Sequence, residues 1–137
     1  MKPIETINRE SFAPYGTLID FTPEYEGGFQ IVVKEPEAGW RLAVLRFNNR
    51  TTDYMENHPE SMESFEPVSG VSVIIVAENG APEAYRAFLL DQPVCLHKGV
   101  WHQVIALSER AVVKIAENFD VSAQYHRFAK PVGCFTD

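Results

Sequence analysis

Two short stretches carry most of the side chains able to do chemistry. In "LHKGVWHQV", Leu96 to Val104, His97 and His102 stand on either side of a Lys98-Gly99 corner, so two of the four histidines share one turn. In "YMENHPESMESFEPVSG", Tyr54 to Gly70, Glu56 and His58 lie two apart. On an extended segment they project from the same face. Glu63 follows five residues after His58. Imidazole nitrogen with carboxylate oxygen suits Zn²⁺, Ni²⁺, Mn²⁺ or Fe²⁺, whereas a closed structural zinc site would use thiolates. A charge run is usually a solvated face, and Asp53, Glu60 and Glu66 crowd the same stretch. Carboxylates that close repel one another unless a cation neutralises them, which favours a metal.

These residues need a scaffold that brings two distant turns together. A chain of 137 residues is expected to form one domain over 1–137, with a core large enough to need no staples. The net charge of −7 disfavours nucleic acid, which demands a basic face. No apolar run approaches the roughly 18 residues of a membrane span. The N-terminal "MKPIETINRE" has no apolar signal core, so a cytoplasmic protein is expected. Cys95 and Cys134 are too few for a disulfide framework and read as free thiols.

One helix start stands out. Asn8 is placed to cap a short helix with Ser11 and Phe12 in its first turns, and Pro14 and Gly16 stop it. Short runs rich in β-branched and aromatic residues follow at 17–21, 30–34, 41–47, 71–77, 84–90, 93–96, 102–107 and 111–119, each bounded by Gly, Pro, Asn or Asp. The stretch "FTPEYEGG" reads as a surface loop. This pattern predicts an all-β antiparallel sandwich or barrel. The run Val71 to Ala77 is apolar at almost every position, consistent with a strand covered on both faces, either inside the core or against a second subunit in a homodimer.

The chain resembles the cupin superfamily, with its motifs G-x5-H-x-H-x3,4-E-x6-G and G-x5-P-x-G-x2-H-x3-N. His58, Glu63 and Gly70 fit the first motif, with Glu56 at its first histidine; Gly99 and His102 fit the second, with His97 at its proline and Ala106 at its asparagine. Within cupins the chain is similar to the ureidoglycolate lyase family in "ESFAPYGTLID", "E-x-H-P" at Glu56 to Pro59 with "F-x-P" at Phe65 to Pro67, "RAF" at Arg86 to Phe88, and "H-x-x-V-W-H" at His97 to His102. Glu63 stands where that family commonly has glutamine, and "AENFDVSAQYHRF" departs from its "DRG" segment.

The resemblance implies a cupin-type double-stranded β-helix, or jelly-roll barrel, with a short N-terminal helix. It implies elimination of urea from ureidoglycolate to give glyoxylate. A divalent metal (Ni, Mn, Zn or Fe) would be held by His58, Glu63 and His102; Glu56, His97 and His102 would be catalytic; Arg86 or Lys98 would bind the carboxylate of a small anionic substrate. Trp101 reads as a core plug and His126 as structural or exposed. The competing expectations are another metal-dependent cupin enzyme, an isomerase or dioxygenase, and a non-catalytic ligand-binding cupin.

Overall fold

A computed structural model describes residues 1–20, 22–27, 32, 33, 35 and 39–133. Among the described residues the elements are β1 (Ile4–Glu5), α1 (Arg9–Phe12), β2 (Gly16–Leu18), β3 (Trp40–Phe47), β4 (Thr51–Asn57), β5 (Glu63–Ser69), β6 (Ser72–Ala77), β7 (Arg86–Leu89), β8 (Val94–Leu96), β9 (Trp101–Ala106), β10 (Ala111–Asn118) and β11 (Gln124–Gly133), with one 3-10 turn at Pro82–Ala84. Most of the expected strand at 30–34, and Cys134, lie outside the described residues. Residues 22–27 are turns, bends and irregular backbone, as a loop requires.

The helix begins where its cap predicts. Asn8 is extended (φ −137°) and its side-chain oxygen accepts the Ser11 N–H at 2.9 Å, satisfying a backbone donor that a first turn leaves unpaired. One turn suffices to bury Phe12, which meets Tyr15 and Phe88 edge to face at 5.8 and 5.0 Å.

The strands form two sheets, ordered β1-β7-β6-β9-β4-β11 and β2-β8-β5-β10-β3. Neighbours run antiparallel except β1 beside β7. From β3 onward the chain crosses between sheets at every connection except β6 to β7. That winding is a jelly roll, the all-β cupin architecture with its short helix.

Alternation along the strands fills the space between the sheets. Ile74, Val76, Phe88 and Val104 from one sheet meet Phe65, Val94, Leu96, Val113 and Ile115 from the other. The run within Val71 to Ala77 is buried on both sides by the chain itself. Val73, Ile75 and Ala77 lie in a second cluster with Met55, Ala87 and Ile105, covered by Phe128 and Val132. Part of that cover comes from β11, where Phe128 lies within the skip in pairing with β4 from Arg127 to Val132; Met1, Trp101 and Leu107 supply the rest. This strand is therefore covered without a second subunit.

Two glycines are required by geometry. Gly70 closes the β5–β6 corner at φ +74°, where a Cβ would lie 2.2 Å from the Arg110 carbonyl oxygen. Gly99 sits at φ +77° in the β8–β9 corner, with its N–H donating to the His58 carbonyl at 2.9 Å. That bond ties the two histidine-bearing stretches together.

Candidate active site

Strand register alone sets two polar rows face to face. On one sheet, Tyr125 of β11 pairs with Glu56 of β4, and Glu56 with His102 of β9. On the other, Glu63 of β5 pairs with Glu117 of β10, and Glu117 with Arg41 of β3. His58, one residue past β4, closes the end between them. These seven residues line one cavity of about 340 Å³, with Leu45, Phe65, Val104 and Ile115 among its apolar walls.

At the closed end, Glu63 Oε2 lies 2.9 Å from His58 Nε2 and 3.0 Å from His102 Nε2. Glu56 Oε1 is farther, 3.9 and 3.8 Å from the same two nitrogens. The opposite ring nitrogens are already engaged. His58 Nδ1 is 3.0 Å from the Ser122 carbonyl and His102 Nδ1 is 3.0 Å from that of Val100. Donation from Nδ1–H to a carbonyl leaves the Nε2 lone pair facing the cavity, the arrangement that orients metal-ligating histidines.

The short contacts are not well-directed hydrogen bonds. Glu63 Oε2 and His102 Nε2 are buried and have no hydrogen-bond partner among the described residues. Buried polar atoms are rarely left so. Two nitrogens and an oxygen that converge without bonding one another suit a shared cation. Donors about 2.1 Å from an ion and at right angles stand roughly 3.0 Å apart. The residues therefore fit a divalent metal. Glu56, His58 and His102 form one group with ligand atoms close enough for such an ion, and His58, Glu63 and Glu117 form another.

Electrostatics point the same way. Burial opposes charge on His58, but its contact with Glu63, the Ser122 carbonyl and Glu56 together lift its pKa to about 9. Burial likewise resists ionisation of Glu63, yet the two imidazoles hold its carboxyl down at about 2. His102 is raised too: burial works against its charge, Glu63 and the Val100 carbonyl outweigh that, and the His58 charge opposes it. The cluster attracts positive charge, as a proton or as a metal ion.

Three expected site residues are not brought here. Arg86 is claimed by Glu5, with Nε donating to Oε2 at 2.8 Å and a second contact between NH2 and Oε1, and it also reaches the Ser11 carbonyl. Parallel pairing of β1 with β7 places that carboxylate beside the guanidinium. His97 is exposed and its Nε2 lies 3.0 Å from the Ala13 carbonyl, because β8 delivers its ring toward the turn after α1. Lys98 projects outward and pairs with Glu35 at 2.8 Å. Of the remaining residues, Trp101 donates to the Asn79 carbonyl, and His126 pairs with Glu83 at 2.8 Å beside Trp101 and Phe128. Cys95 is buried, and burial followed by the Glu63 charge raises its thiol to about 11, leaving it protonated.

Arg41, Glu117 and Tyr125 were not expected. A signal was present for two of them. Each run carries two charges, Arg41 and Arg46 in "WRLAVLRF" and Lys114 and Glu117 in "AVVKIAENF", and strand alternation puts Arg41 in phase with Leu45 and Glu117 in phase with the inward Val113 and Ile115. Arg41 donates from Nε and NH2 to Glu117 Oε2 at 3.2 and 3.0 Å.

Comparison with known proteins follows the same span. A family model described as ureidoglycolate lyase matches residues 34–128. The chain is 31% identical over 120 residues to a ureidoglycolate lyase of Agrobacterium fabrum, covering 72% of each. It is 32% identical over 123 residues to one of Rhodobacter capsulatus, covering 75% of this chain and 76% of that one. With ureidoglycolate lyase 1 of Rhizobium meliloti, identity is 32% over 138 aligned positions, covering 82% and 81%. The matched span contains every residue lining the cavity, and the chain belongs to the ureidoglycolate lyase family.

Proposed function

We propose that the protein is a metal-dependent ureidoglycolate lyase, splitting ureidoglycolate into glyoxylate and urea. The observation that carries this reading is the convergence of His58 Nε2, His102 Nε2 and Glu63 Oε2 at the closed end of a cavity that also holds a guanidinium. The substrate is a carbinolamine bearing a carboxylate. Its hydroxyl loses a proton, the carbon–oxygen bond becomes a carbonyl, the carbon–nitrogen bond breaks, and the urea nitrogen takes up a proton.

Each need has a residue. Arg41 binds the substrate carboxylate, replacing Arg86 and Lys98 in that role, because its planar fork matches two oxygens. Glu56 carries the proton from hydroxyl to nitrogen, since its carboxylate is partly exposed and stands beside both imidazoles. Phe65, Val104 and Ile115 exclude water, which strengthens these interactions. A divalent ion held by His58, Glu63 and His102 would supply Lewis-acid polarisation of the substrate oxygens and lower the cost of a developing alkoxide.

The test is urea release by chelator-stripped protein reloaded in turn with zinc, nickel, manganese and ferrous iron. Turnover restored by at least one ion supports the reading. Saturable binding of ureidoglycolate with no urea under any ion overturns it in favour of a binding protein, and oxygen consumption with ferrous iron would point to a dioxygenase.

A cytoplasmic homodimer belongs to the same proposal. No helix among the described residues is long and apolar enough to cross a membrane. The free thiol of Cys95 accords with a reducing compartment. Trp40, Leu42 and Val44 lie on the outer face of β3 with 68%, 58% and 75% exposure, an apolar stripe that supports self-association. Light scattering coupled to size exclusion checks it; a monomeric mass at working concentration would remove the dimer.

A further inference from the structure

Arg41 and Glu117 are the remaining charges of the cavity, and their pairing is lopsided. Both guanidinium nitrogens reach the same oxygen, Glu117 Oε2, so the contact is not the parallel two-bond fork in which Arg binds a carboxylate best. The Arg41 side chain is 47% exposed, whereas that of Glu117 is 8% exposed. The guanidinium is thus open to an incoming ligand, while the carboxylate would be left in an apolar wall without a counter-charge. A buried charge that loses its partner is costly unless another lies within reach. One does: Glu117, His58 and Glu63 have ligand atoms all within 4.8 Å of one another.

We infer that Glu117 is the resident counter-ion of Arg41 and that the substrate carboxylate displaces it. The incoming carboxylate takes the Arg41 fork with two parallel bonds. Glu117 then turns toward the His58 imidazole, whose ligand atom already lies within 4.8 Å of its own. Entry is an exchange of one carboxylate for another, which selects anionic substrates against neutral analogues because only an anion can replace the charge Arg41 gives up. The inference rests on the proposed reading of Arg41 as the carboxylate anchor, and assigns to Glu117 the part of an internal competitor.

Calorimetric titration of the full chain as purified with glyoxylate, a carboxylate product, tests it, beside urea, the neutral one. Glu117→Gln keeps the shape and removes the competing charge, so glyoxylate is expected to bind roughly five- to ten-fold more tightly, with urea binding unchanged. If Glu117 instead holds Arg41 in place, the same variant binds glyoxylate more weakly, and that result, or no change, overturns the exchange. Arg41→Gln should abolish glyoxylate binding in either background; survival of binding also overturns it. These measurements need no turnover. A chain that fails to release urea yet shows tighter glyoxylate binding in Glu117→Gln keeps the exchange and loses the lyase, and normal urea release with unaltered binding does the reverse.

Discussion

Two polar clusters of this molecule begin alike and end differently. One gathers Glu56, His58, Glu63 and His102 at the closed end of the cavity; the other comprises Arg86, His97 and Lys98, which do not line it. Both include a histidine of the stretch Leu96 to Val104, and both are made of side chains able to bind an anion or a cation. In the second cluster each group meets a partner within the chain: Arg86 with Glu5, His97 with the Ala13 carbonyl, Lys98 with Glu35. In the first, contacts of 2.9 and 3.0 Å leave Glu63 Oε2 and His102 Nε2 without directed bonds among the described residues. Polar groups satisfied internally support the fold, and those left over are what a ligand can use.

The sharpest break between the clusters is expected from paired histidine variants. His102→Ala should lower urea release by about a thousand-fold or more and cost metal retention, because it removes one of the converging donors. His97→Ala should stay within roughly threefold of the parent, since its ring only bonds a carbonyl at a turn. Elemental analysis and the urea assay check both; full metal content in the first variant would dissolve the contrast.

The arginines come next. Arg41→Lys should raise KM about ten-fold or more with a smaller change in kcat, as expected when a carboxylate loses its fork. Arg86→Lys should leave KM where it was. A KM effect confined to Arg86 would return the anchor to that residue.

The pH response of metal-free protein separates the clusters less dramatically. Glu63 is lowered from 4.5 to about 2, so its stabilisation is complete above its ordinary value and is lost as pH falls through about 2. His58 is raised from 6.5 to about 9, so its contribution is complete below its ordinary value and is lost as pH rises through about 9. Thermal melts of chelator-treated protein should therefore decline on both flanks, and Glu63→Gln should flatten both. Unaltered flanks in that variant would place the shifts elsewhere.

The smallest effect belongs to the saturated cluster. Glu5→Gln should cost about 1 kcal/mol, because the Arg86 pair is about one-third exposed and solvent weakens it. A fall of roughly 3–5 °C in Tm is expected, with KM unchanged.

Much of the scaffold was legible along the chain. The Asn8 cap and the apolar runs at 41–47, 71–77 and 111–119 carry local propensity strong enough to announce their elements. The strands β4, β5 and β11 were not separately legible. "TTDYMEN" and "ESFEPVS" are as polar as a loop, and Pro67 and Pro131 interrupt two of the three. Tertiary pairing overrode propensity there. Pro67 sits beside the register shift at Val112 and Val113, and Pro131 within the excursion between Arg127 and Val132, positions where a missing N–H is tolerated.

Spacing by itself determined that Glu56 and His58 would share a face, that Glu63 would follow, and that glycine would turn the corner before His102. Those are short-range facts, set by the twofold repeat of an extended chain and the freedom of glycine. Only the tertiary structure decided that Arg41 and Glu117 complete the cavity while Arg86, His97 and Lys98 do not. The row Glu63, Glu117, Arg41 runs across strands far apart in sequence, and such neighbours are fixed by sheet register, which no single stretch encodes.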